Sequence, residues 1–169
     1  LQSATSTSTD YFTELFAAAD NDLSYQKLIF TPDGSSNFYR VCRTDAADFS
    51  IDPTNAAALT LSDDSFEQIV LRSGAAVQLY GTTYSNLFVG SNGHITFVVG
   101  DPDGTESLLE HFSLPRISAL FDDLNPASGG AVTWTQLVDR VAITFEEVPE
   151  WPAWRSNSFQ VELHFDGKI

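Results

Sequence analysis

The feature that most limits what this chain can become is how often its apolar runs are interrupted. "TPDGSSN", "IDPTN", "SDD", "YGTTYSN", "GSNG", "GDPDG", "NPASGG" and "VPEWPAW" cut everything after about residue 30 into short pieces rich in Val, Ile, Phe, Tyr and Thr. Pieces of that length and composition, bounded by Gly, Pro, Asn and Asp, predict antiparallel strands in an all-β sandwich. In "SFQVELHFDG", Phe159, Val161, Leu163 and Phe165 alternate with Gln160, Glu162, His164 and Asp166. A half-buried strand has a two-residue period, so the first set is assigned to the core and the second to solvent. Val141, Ile143 and Phe145 repeat the pattern. With "AVTWTQLVD" before them and a tight connection at Asp139-Arg140, they predict a hairpin. One stretch has helical spacing: Phe12, Leu15, Phe16 and Ala19 share a face, and Asp10 can cap its start.

At 169 residues, with 43% apolar residues and 13 Phe, one domain with a real core is expected over residues 11–169, after a flexible Ser/Thr-rich lead-in at 1–10. The lone Cys42 allows no internal disulfide and reads as a buried hydrophobe, or as a bond to another chain. A net charge of −15 repels phosphate, so nucleic acid and anionic membranes are not expected partners. No run reaches the roughly 20 apolar residues of a membrane-spanning helix. The polar Ser/Thr tract, acidic surface and scarce lysine favour a secreted, extracellular protein.

His94, His111 and His164 share no ligand-type spacing, and the chain lacks HExxH, GxSxG and a phosphate-binding glycine loop. "GDPDGTE" sets Asp101, Asp103 and Glu106 around Gly104 but lacks the ligand spacing of an EF-hand, and it reads as a hairpin turn. "LFDDLNPASGG" is the more pointed stretch. Neighbouring strand residues face opposite ways, so Asp122 and Asp123 are poorly placed as an acid and base about a single bond. An irregular turn carrying Asp122, Asp123 and Asn125 can instead curl around calcium. Its alternative role is a carboxylate, Asp123, accepting the backbone N–H groups that fix the turn. Trp151 and Trp154, on a loop stiffened by Pro149 and Pro152, are either packing or an aromatic platform for a sugar ring or a protein partner. Trp134, inside a strand, is assigned to the core.

Taken in order, "VQLYGTTYSNLFVGSNGHITF", "PRISALFDDLNPASGGAVTW" and "VAITFEEVPEW…SNSFQVELHFDG" resemble the nidogen-like extracellular domain over residues 77–167. Tyr80, Gly81, Tyr84, Asn92, Gly93, Phe97, Asp123, Gly130, Val148, Asn157, Phe159 and Gln160 fall on its pattern. Ala119 departs from it, standing where that family has proline. The resemblance implies a non-catalytic recognition or adhesion module, with Asp123 and the Ser-Asn-Gly turn as structural signatures. It also implies strand sequence beyond Asp166-Gly167, so the sheet beside residues 158–166 is expected to be completed by a second fragment or a partner chain. A carbohydrate-binding module of a secreted polysaccharide-acting enzyme, using Trp151 and Trp154, is the alternative. A hydrolase built on clustered carboxylates is the third reading.

Overall fold

The computed structural model describes residues 12–17, 20–152 and 155–169. The elements, in chain order, are β1 (Gln26–Pro32), β2 (Tyr39–Asp45), β3 (Ala57–Ala58), β4 (Phe66–Val70), β5 (Val77–Leu79), β6 (Thr82–Tyr84), β7 (Asn86–Gly90), β8 (His94–Thr96), α1 (Leu108–His111), β9 (Arg116–Ser118), β10 (Ala131–Gln136), β11 (Arg140–Pro149) and β12 (Ser156–His164). All pairings are antiparallel. Two four-stranded sheets, β12-β11-β10-β3 and β4-β7-β8-β9, form the sandwich, beside the small pairs β1-β2 and β5-β6.

The core lies between the two larger sheets. Val132, Val141, Ile143, Phe145, Val161 and Leu163 from one meet Ile69, Leu87, Val89 and Ile95 from the other. The β10–β11 hairpin is present, with Leu137 N–H donating to Arg140 C=O and Val138-Asp139 at the centre of the turn, one residue earlier than expected. In β11 the register slips between Phe145 and Val148, and Glu147 bulges out at φ +53°. The backbone of Gly130 crosses this bulge so closely that a Cβ there would lie 2.5 Å from Glu146 O. Only glycine fits.

Strand β12 keeps the expected parity: Val161 and Leu163 are buried, and Phe159 stacks on Phe145 at 4.6 Å. Its other face is not open to solvent. Gln160 exchanges two hydrogen bonds with the backbone of Ile51, Glu162 bonds Lys27 and Arg140, and His164 is buried. Among the described residues β12 pairs with β11 alone, so it is an edge strand. Just past it, Ile169 and Phe30 exchange both backbone bonds (2.9 and 2.8 Å), which ties β1 to the end of the chain.

Three expectations are corrected. Residues 12–17 form no helix; Phe12 turns edge-on to Phe30 while Leu15 points to solvent, so no common face is buried to hold so short a helix. Ala19 and Asp10 lie outside the described residues. Cys42 is exposed, because β1-β2 is a two-stranded ribbon of which β2 buries only Tyr39. "GDPDGTE" is not a hairpin turn: it starts a strap, residues 98–112, that crosses the outward face of β8 and β9 and includes α1, capped by Ser107. Trp134 is half-buried beneath the Arg72 guanidinium.

Candidate metal centre

Gly93 explains why the Ser-Asn-Gly turn sits where it does. At φ +74° its missing Cβ would fall 1.8 Å from Leu120 O, so the turn presses directly on the segment leading into Asp122. That contact brings Asn92, wholly buried, into the middle of four loops. Asn92 Nδ2 donates to Asp64 Oδ1 (3.0 Å) and Asp103 O (3.2 Å), and its Oδ1 accepts Leu124 N–H (3.0 Å). Ser65 and Ser91 add reciprocal bonds that fix the 62–65 turn against the same place.

The result is a group of three carboxylates. Oxygens of Asp63, Asp64 and Asp123 lie within 4.8 Å of one another. Oxygens around one calcium ion, at about 2.4 Å from it, are separated by at most about 4.8 Å, so the spacing fits a hard cation. Among the described residues none of the three pairs with a Lys or Arg. The Asp123 carboxyl is pushed above its usual range by burial and then by Asp64, Asp63 and Glu106. A cation placed among them would reverse that penalty.

Asp122 and Asn125 do not join the group. Asp122 hydrogen-bonds Glu106 beside Glu150, and burial together with those two acids raises it to about 6. Its Oδ1 also accepts the Asp123 N–H at 2.9 Å, a donor shared with Glu106 Oε1 at 2.8 Å, so at this turn Asp123 donates rather than accepts, the reverse of the expected assignment. Asn125 is buried, donates its backbone N–H to Pro149 O, and leaves its side-chain oxygen without a protein partner. Asp63 and Asp64, read in the sequence only as a turn, are the residues that sequence reasoning missed. Their signal was a tandem acid pair at a turn, the feature that also marks Asp122-Asp123.

The aromatic loop adjoins this centre. Trp151 N–H donates to Asp123 O at 2.7 Å, and Leu124 bridges Glu150. The Trp151 side chain is 60% exposed. Trp154 lies outside the described residues.

A family model described as NIDO related matches residues 39–164. The chain belongs to the NIDO-related family. The matched span begins well before the resemblance read from residue 77 and takes in all three carboxylates and Trp151. NIDO domains occur in extracellular proteins, and no helix among the described residues is long and apolar enough to cross a membrane. No curated protein and no solved structure matches the chain.

Proposed function

We propose that this NIDO-related domain is a secreted, non-catalytic recognition and adhesion module whose contact surface is the Trp151 loop, braced by calcium at Asp63, Asp64 and Asp123. One observation carries the reading: a largely exposed tryptophan donates its backbone N–H to the carbonyl of Asp123, a member of the carboxylate group. An ion there fixes the backbone from which the ring projects. Aromatic anchors on rigid supports are what recognition surfaces use. A hydrolase fits less well, because Asp122 and Glu106 share a hydrogen bond, whereas a glycosidase holds its two carboxyls roughly 5–10 Å apart.

Glycan binding by the same loop is the second reading, favoured by the exposure of Trp151, since an exposed indole can stack on a sugar ring. The edge of β12 that no described strand pairs belongs to the proposal as a place where a partner strand adds. The test is binding of immobilised chain to panels of extracellular proteins and glycans, with calcium and with chelator. Trp151→Ala should abolish binding of whichever panel member is captured, and Asp123→Asn should remove only its calcium dependence. Calcium at 100 times its Kd should also stabilise the fold by about 2.7 kcal/mol. A melting temperature indifferent to calcium rejects the ion, and capture unaffected by Trp151→Ala rejects the loop.

A further inference from the structure

The opposite end of β12 carries a second feature. Three turns converge there: the β1–β2 connection at residues 33–38, the β5–β6 turn at Tyr80-Gly81, and the Asp166-Gly167 turn. Two glycines permit the approach. A Cβ on Gly81 would stand 3.1 Å from Ser36 Cβ, and one on Gly167 would stand 3.2 Å from the Pro32 ring and 3.4 Å from Gln78 Cβ. Between the turns is a cavity of about 430 Å³, a size typical of small-molecule clefts.

The walls are fixed by hydrogen bonds within the chain. Asp33 accepts both the N–H and the hydroxyl of Ser35 (2.8 and 2.7 Å), and Ser35 Oγ accepts the Phe38 N–H, which locks the first turn. Tyr80 N–H donates to the Tyr39 hydroxyl at 3.3 Å, and the two rings meet edge to face at 5.1 Å. A site formed in advance spends little ordering entropy on binding.

Its chemistry is selective. Its lining includes the aromatic residues Phe38, Tyr39 and Tyr80 and the polar residues Ser36, Gln78 and Asp166. No Lys, Arg or His lines the cavity, so an anion finds no counter-charge within a chain of net charge −15. One of the Asp166 oxygens already takes the Lys168 N–H, which leaves a single acceptor oxygen rather than a cation cage. Aromatic faces beside an amide, a hydroxyl and one carboxylate oxygen match a ligand with C–H faces and many neutral hydroxyls.

We propose that this cavity is a binding site for one or two rings of a neutral carbohydrate. It does not rest on the Trp151 reading, because the nine residues of β12 separate the two places by roughly 26 Å. Together they would let one domain hold a glycan at one end and a partner at the other.

The experiment is an NMR titration of the full chain with the methyl glycosides of glucose, galactose, mannose and N-acetylglucosamine, then with lactose and cellobiose. At least one sugar should give saturable shifts confined to residues of the three turns. Gln78→Ala and Asp166→Ala, both at exposed positions, should each weaken that sugar by about tenfold, the loss of one good hydrogen bond, while Trp151→Ala leaves it unchanged. Thermal melts confirm that each variant is folded, and Ser36→Ala stands in for any that is not. No saturable shift from any of these sugars overturns the proposal. Sugar binding that ignores the cavity variants and disappears with Trp151→Ala overturns it too, and supports the loop instead.

Discussion

On the inward face of the β4-β7-β8-β9 sheet, Leu87, Val89 and Ile95 are sealed against the opposite sheet. One residue to either side of Ile95, on the outward face, His94 and Thr96 are just as thoroughly buried. There the cover is the strap at residues 98–112, and the contacts are polar. Arg116 pairs with Asp101 and lies 4.8 Å over the Phe121 ring, His94 Nε2 contacts Asp101 O, and Thr96 donates to Val99 O at 2.6 Å. Three buried atoms, His94 Nδ1 and Arg116 Nε and Nη1, have no hydrogen-bond partner among the described residues. Equal burial thus hides unequal security: the inner face is held by area removed from water, the outer by a few directional bonds that fail one at a time.

The sharpest way to break this comparison is at Arg116. Arg116→Met leaves Asp101 buried without its cation and should cost about 3–5 kcal/mol in urea unfolding. Adding Asp101→Asn should restore about half or more, because the uncompensated charge is then gone. If the single variant is neutral, the pair does not hold the strap. Leu87→Ala, on the inner face, should cost about 2–5 kcal/mol with no partner substitution able to rescue it.

Acidity sharpens the contrast further. Burial, then Arg116, holds His94 below the ordinary histidine range, and the same two causes lower His111. As pH falls through about 6.5 the unfolded chain takes up protons that the folded chain refuses, so stability is lost on acidification, by up to about 1.4 kcal/mol per pH unit per histidine. Asp122, raised to about 6, takes up its proton over the same range and acts in the opposite sense. The histidine effect between pH 7 and 6 is therefore read as the difference in slope with and without His94, Asp122 being common to both. Unfolding of His94→Gln should show a shallower slope across that interval, and an unchanged slope would remove His94 from the account. The smallest effect is expected at exposed Cys42, where Cys42→Ser should shift stability by no more than about 0.5 kcal/mol.

The inward face of the opposite sheet was legible in the sequence because its rule is purely periodic: alternation in β11 and β12 names Val141, Ile143, Phe145, Val161 and Leu163. The outer face was not. Period-two reasoning sends polar residues to solvent, and nothing local in "GHITF" or "GDPDG" says that one will lie across the other. The metal centre was half legible for the same reason. Asp123 could be picked from its own turn, but the 62–65 turn is held beside it by Asn92 and by the Ser65–Ser91 bonds, which join residues far apart in the chain. The exposure of Cys42 and His164's burial were misread because each depends on which loop covers which sheet face.

The clasp between Phe30 and Ile169 bears on the order in which the molecule assembles. The β1-β2 and β10-β11 pairs join neighbours in sequence and can form within microseconds. The clasp joins residues far apart in sequence, so it carries a far larger loop-closure entropy than either hairpin. Ribbon β1-β2 therefore docks late, onto a sandwich already built by more local pairings. A fluorescent reporter on β1 should follow refolding more slowly than one on the β10–β11 hairpin.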